Sequence, residues 1–352
     1  HEVRRLPATM AELQRAVRTV LKRAPSTMSN SDLLAALAEA TTLTKEFGPH
    51  FQAANMNAGV WTGLLATLLT KFSPDRGQAI ASALLTGSGQ VVSAEQGYRL
   101  FDLAAVARQD PAALEYLTKH PLDPTGWRNL PPESPFRQEF ERYLELYGHR
   151  AVYEIEVANP RWNEDPTYLL EQVRSILESG NARAPRAMAQ AARAAGEAEL
   201  AKLPWFVRPI IRWVARKGRE GLALREAAKS ALGSTIEPTR YMVLEVGRRL
   251  AQAGQLDDPA SVFHLACEDL EAFLRGEWDG TGAKTLAADR KARDAAWLAG
   301  EEPEDYYVVD TDGRPTTMPG YSGPTNPLVL AAGDGSSLTG IGVSAGRATG
   351  VA

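Results

Sequence analysis

Residues 146–166 read LYGHRAVYEIEVANPRWNEDP, and the reading of this run governs the reading of the rest. It lies between two stretches with apolar residues at helical spacing, one over 136–147 and the other carrying Leu169, Leu170, Val173, Ile176 and Leu177. Within the run, Tyr153, Ile155 and Val157 alternate with Glu154 and Glu156. That period of two predicts a short extended segment over 151–158 with both carboxylates on one face. Asp165 is placed to cap the next helix and Pro166 to open it, where a missing N–H costs nothing.

The run also concentrates chemistry: His149, Arg150, Arg161, Trp162 and four acids fall within about twenty residues. Two readings follow. In the first it is a ligand-facing loop, in which Arg150 and Arg161 clamp an anionic or carbonyl group, Trp162 stacks on a ring, and Glu154 and Glu156 hold hydroxyls or amines. In the second the same residues form an internal ion-pair network that orients the loop, with Trp162 as packing. His149 likewise has two readings, a general base near neutral pH or a hydrogen-bonding residue that fixes the turn.

Outward from this run the chain reads as mainly α. Helices are expected around Met10–Leu21 and over 31–46, 57–71, 76–86, 95–108, 111–118, 184–202, 205–217, 219–232, 238–253 and 284–299. Val262–Leu265 is a second short extended candidate. Pro303, Pro315, Pro319, Pro324 and Pro327, interspersed with Gly, describe a linker that the last residues leave as a strand. Gly340, Gly342 and Gly346 suit a strand entrance better than a phosphate cradle, which needs a following helix to supply N–H groups. Residues 205–217 set Trp205, Phe206, Ile210, Ile211, Trp213 and Val214 among Arg208, Arg212, Arg216 and Lys217. That segment reads as an ordinary helix with a basic face, then as a cover over an apolar ligand, and last as a membrane-surface helix.

Composition narrows the classes. Thirty-nine Lys plus Arg against 43 Asp plus Glu give a net charge of −4 over 352 residues, a balance that argues against nucleic acid as the main partner. No apolar run approaches the roughly 18 residues of a membrane span, so no membrane partner is expected. Cys267 is the single cysteine and cannot form an internal disulfide, which suits a reducing, cytoplasmic setting. The five histidines show no zinc spacing, so no metal site is expected.

The Tyr-Gly-His-Arg turn, the Glu-bearing segment, and the Pro-Arg-Trp and Glu-Asp-Pro elements together resemble the phosphoenolpyruvate-utilising dikinase-like family, in its rifampin phosphotransferase and phosphoenolpyruvate synthase-like branch. Other pieces follow in order: Leu84–Gly87 with Glu95 and Leu103; Arg225, Glu226 and Lys229; Gly247–Leu250 with Gly254; Val262–Leu265 with Glu268, Leu270 and Leu274. The glycines near the end resemble the first strand of the family's swivelling phosphohistidine domain.

The resemblance implies a large helical acceptor-binding domain with short strands over 1–300, a linker over 301–335, and over 336–352 the start of a truncated α/β swivelling domain. It implies an ATP-dependent phosphotransferase in which a phosphohistidine domain, charged by an ATP-grasp domain of the same protein, delivers the phosphoryl group to a small-molecule acceptor. His149 is then the expected proton acceptor, and Arg150, Glu154, Glu156, Arg161, Trp162, Arg225 and Glu226 the expected substrate-binding residues. Met56, Trp61, Leu64 and Leu65 would help line an apolar pocket. An antibiotic or secondary metabolite is the expected acceptor; pyruvate in a synthase-type reaction and a non-catalytic helical binding module are the alternatives. The sequence departs from the full pattern, with neither a Gly-rich nucleotide loop nor a Thr-x-His motif. No cofactor is therefore expected on this chain itself; ATP and Mg²⁺ would act in a longer protein of which it is a piece.

Overall fold

Ser29 and Asp32 start the longest element. The Ser29 hydroxyl accepts from the Asp32 N–H at 3.1 Å and the Asp32 carboxylate accepts from the Ser29 N–H at 3.4 Å, a reciprocal cap that opens helix α2 (Asn30–Phe72). The sequence predicts two helices here, over 31–46 and 57–71, yet α2 runs continuously through the residues between them. Pro49 removes one backbone hydrogen bond. Burial of Phe47 and Ala54 on either side of it keeps the helix continuous.

The computed structural model describes residues 2–86, 92–119, 121–179, 185–300, 308–309 and 315–316. Besides α2 these form α1 (Glu2–Leu21), α3 (Gly77–Leu85), α4 (Val92–Gln109), α5 (Pro111–Thr118), α6 (Pro135–Tyr147), α7 (Thr167–Glu178), α8 (Pro185–Leu200), α9 (Arg208–Ser234), α10 (Ile236–Gln252), α11 (Cys267–Arg275) and α12 (Ala283–Leu298). The fold is mainly α. The dipeptides Val308–Val309 and Pro315–Thr316 pair antiparallel; the remainder of the expected linker, and the expected swivelling-domain strand, lie outside the described residues.

Both extended segments expected within the helical part are absent. Residues 151–159 fold as turns, because buried arginines take the carbonyls that a strand would offer to a neighbour. Residues 259–264 form a 3₁₀ helix capped by Asp258. Helix α7 starts one residue later than expected, with the Asp165 carboxylate accepting from the Thr167 N–H at 3.0 Å. The two helices expected over 205–232 are one, α9, and Trp205 and Phe206 precede it.

Four apolar clusters form the core. One joins α4, α5, α6 and α7 around Phe136, Phe140 and Trp162. The other three are strung along α2: Leu33 and Ala36 pack with α10, α11 and α12, Phe47 and Ala54 with α1 and the end of α9, and Leu65 and Leu69 with α3 and the start of α9. Helices α2 and α9 are antiparallel, since Thr44 meets Thr235 hydroxyl to hydroxyl at 2.7 Å while Gly221 meets Ala58. Gly221 permits that approach; a Cβ there would lie 3.1 Å from the Ala58 Cα. Among the described residues, no helix is long and apolar enough to cross a membrane and no group of three acidic, His or Cys side chains is placed to hold a metal.

Candidate functional site

The segment between α6 and α7 is closed at its base by two backbone bonds, Asn163 N–H to the Gly148 carbonyl at 3.0 Å and Trp162 N–H to the Arg150 carbonyl at 2.8 Å. Gly148 allows this closure, because a Cβ there would stand 1.8 Å from Asn163 Oδ1. Inside the loop lies Arg161, completely buried, donating to the carbonyls of Glu154 at 2.8 Å and Glu156 at 2.5 Å. Arg240 reaches in from α10, with Nε and Nη2 on both Glu164 oxygens at 2.8–3.0 Å and Nη1 on the carbonyls of Val157 and Ala158. Its guanidinium also covers the Phe263 ring at 4.9 Å. Two buried arginines thus convert a polar connector into a fixed scaffold, because a guanidinium presents several donors in one plane.

Arg150 is the third buried cation. Its Nε donates to Glu154 Oε1, and its Nη1 to Gln96 Oε1 on α4. The Glu154 carboxylate leans on the end of α9, where a Cβ at Gly233 would come within 3.3 Å of Oε2. That Oε2 has no hydrogen-bond partner among the described residues. Between these groups His149 is half-buried, and burial, aided by the charges of Arg150 and Arg161, pushes its pKa down to about 4. Burial conversely raises the pKa of Glu237, which accepts from the Tyr241 hydroxyl at 3.2 Å.

Helix α9 relates this loop to α2. Gly221 faces Ala58 of α2 and Gly233 faces Glu154. At about 100° per residue these two directions are about 120° apart around the helix, and Arg225 and Lys229 fall between them. They therefore lie on the flank of α9 between its contact with α2 and its contact with the loop. Arg225 holds Glu226 at 2.6 Å with its side chain 41% exposed, and Lys229 is exposed. Farther along the same helix pair, Met56, Val60 and Leu64 form an exposed stripe on α2, and Ile210 and Trp213 are exposed on α9. Trp61 and Trp213 join the two helices edge to face at 5.1 Å.

The structure separates the expected site residues into two groups. Arg161 and Trp162 face inward: Trp162 belongs to the core around α6 and stacks on Tyr168. Glu156 bonds its own loop, accepting from the Ala158 N–H at 2.8 Å. His149, Arg150 and Glu154 lie together, while Arg225 and Glu226 lie on α9, about two turns from the Glu154 contact at Gly233. Leu65, expected to line a pocket, is completely buried in the core, whereas Met56 and Leu64 are exposed.

Sequence reasoning missed Arg240 and Gln96, whose roles depend on partners at separations of 76 and 54 residues. It also missed Tyr153, which has a φ of +56°. A separate cavity of about 310 Å³ is lined by Glu95, Arg99, Asp102, Glu139, Tyr143 and Arg186. Its Arg186 is held by Asp102 and Glu95, and Arg99 by Glu95, just as Arg225 is held by Glu226 on α9.

Residues 50–226 match the family model of the rifampicin phosphotransferase fourth domain. An uncharacterized protein of Mycobacterium tuberculosis is 29% identical over 264 residues, covering 74% of this chain and 26% of the relative. A rifampicin phosphotransferase of Streptomyces sviceus is 31% identical over 203 residues, covering 54% of this chain and 23% of the relative. The prodigiosin synthesizing transferase of Serratia marcescens is 25% identical over 236 residues, covering 64% and 26%. The chain spans about a quarter of the length of these relatives.

Proposed function

Because the chain belongs to the rifampicin phosphotransferase fourth-domain family, we propose that it is the acceptor-binding region of an ATP-dependent phosphotransferase that works through a phosphohistidine and phosphorylates an antibiotic or secondary metabolite in the cytoplasm. One observation carries this reading: Arg225 and Lys229 lie, at least partly exposed, on the flank of α9 between its contact with α2 at Gly221 and its contact with the loop at Gly233. Phosphoryl transfer requires little covalent chemistry of the protein beyond positioning and charge stabilisation. Cations supply the charge stabilisation for the incoming phosphoryl oxygens. The exposed Met56, Val60 and Leu64 lie roughly 160–240° around α2 from Ala58, which faces Gly221, and so point away from that flank of α9.

Arg150 and Glu154 lie nearly buried and paired where the loop meets α9, and Arg161 with Arg240 holds the loop in place. His149 is neutral across the physiological range, as a proton acceptor must be. A base with a pKa of about 4 nevertheless takes up a proton poorly at neutrality, so its contribution to turnover is small compared with that of the cations. ATP and Mg²⁺ would be held by a nucleotide domain elsewhere in the full-length protein, and the residues described above serve only the acceptor half of the reaction.

The test uses the full-length protein with ATP, Mg²⁺ and a panel of hydroxylated acceptors beginning with rifampicin. Histidine phosphorylation followed by acceptor-dependent ATP consumption is the expected result, and Arg225→Ala should impair acceptor turnover while sparing histidine phosphorylation. Equal loss of both, or phosphorylation that no acceptor discharges, would overturn the reading.

A further inference from the structure

We propose that the cavity of about 310 Å³ between α4, α6 and α8 is a binding site for a small neutral polyol, a molecule of the monosaccharide kind, with the Tyr143 hydroxyl as its buried contact. It uses none of the residues assigned above to the acceptor.

Three helices build the cavity. Glu95, Arg99 and Asp102 follow one another at helical spacing along α4, Tyr143 lines it from α6, and Arg186 reaches in from the first turn of α8. Its volume far exceeds the roughly 30 Å³ share of one water molecule and falls at the lower end of small-ligand sites, roughly 300–1,000 Å³. The lining changes in character with depth. Leu103 and Tyr143 are buried, whereas Asp102, Glu139 and Arg186 are partly exposed and form a polar mouth.

Tyr143 supplies the observation that points to a ligand. Its ring is 2% exposed, stacked on Phe140 and tilted against Tyr147, yet its buried hydroxyl has no hydrogen-bond partner among the described residues. The neighbouring Gln96 does not serve it; the amide oxygen of Gln96 accepts from Arg150 instead. A buried hydroxyl left unpaired costs about 1–3 kcal/mol, and phenylalanine would pack the same ring without that cost. The polar atom is therefore unexplained by the core around it and sits on a residue that lines the cavity.

The charges at the mouth select the class of ligand. Glu95 accepts from Arg186 at 3.0 Å and from Arg99 at 3.4 Å, Asp102 accepts from Arg186 at 2.9 Å, and Glu139 pairs with Arg142. An ionic ligand has to compete with one of these pairs. A polyol does not, because its hydroxyls donate to carboxylate lone pairs and accept from guanidinium N–H groups that such pairs leave over. Its C–H face can rest on Leu103 and Val106.

The test is calorimetric titration of the full chain with glucose and myo-inositol, set beside glucosamine and glucuronate as charged counterparts, with thermal melting of every variant. Saturable binding of a neutral probe is expected. Tyr143→Phe should raise its Kd by roughly five- to tenfold while melting no lower than the parent, and Asp102→Asn should raise it as well. Binding of neither neutral probe would overturn the site, and tighter binding of a charged counterpart would overturn the class. A lower melting temperature for Tyr143→Phe would show that the hydroxyl serves the fold, and an unchanged Kd that it touches no ligand; either result overturns the proposal.

Discussion

The loop over 148–166 and the helix pair α2/α9 meet at Gly233, yet they are held by opposite means. In the loop, buried guanidinium groups fasten backbone carbonyls and carboxylates, and few apolar contacts contribute. In the helix pair, small residues such as Ala58 and Gly221 allow close approach, and the aromatic and aliphatic side chains left over point outward. The difference teaches that buried guanidinium groups can hold an irregular backbone in one path where a helix would use its own hydrogen bonds. It also predicts different failures: removing a charge should break the loop, whereas adding volume should break the pair.

The largest effect is expected for Arg240→Ala, which takes a buried guanidinium away from the solvent-accessible Glu164 carboxylate and from two part-buried carbonyls. A loss of about 3 kcal/mol is expected in chemical denaturation, the upper end for hydrogen bonds to a charged group. A loss below about 1 kcal/mol would show that the loop does not depend on its arginines.

Acidification comes next. His149 has an ordinary pKa of 6.5 and a folded value of about 4, so between these limits the unfolded chain binds the additional proton. Its contribution is present above pH 6.5 and is lost as the pH falls towards 4, amounting to about 3 kcal/mol at most. Glu237, whose folded pKa is raised, acts in the opposite sense, because there the folded state takes up the proton first. Comparing the pH dependence of melting in the parent and in His149→Gln isolates the first term; identical curves would remove His149 from the buried set.

On the helix pair, Gly221→Leu should cost about 2 kcal/mol, because its Cβ already meets the Ala58 backbone at 3.1 Å. Circular dichroism melts would register it, and a neutral result would mean that the helices separate without penalty. The smallest effects belong to the outward surface. Met56→Gln should change stability by less than about 0.5 kcal/mol in the same melts, and a larger loss would mean that its side chain packs into the core.

How much of this was legible in the sequence depends on range. Helix positions follow from periodicity, and α6 and α7 fall within one or two residues of where their apolar stripes place them. The alternation at 153–157 misleads, because it records a loop whose carbonyls face buried arginines, one of which lies 83 residues away. Nothing local in Arg240 announces that partnership. Gly148 and Arg150 were legible as chemistry, but the contact between Glu154 and Gly233 requires the fold. The interval left between helices over 31–46 and 57–71 is helical too, with Phe47 and Ala54 buried within it.

Helix α2 carries a consequence for how the molecule fails. At about 1.5 Å per residue its 43 residues form a rod about 65 Å long, and three of the four apolar clusters are threaded on it. Clusters sharing one continuous rod cannot melt independently, since losing one exposes the apolar flank of that rod to water. The rod acts as a keel: amide exchange along it should slow to a common rate set by global unfolding, including at positions far from either end.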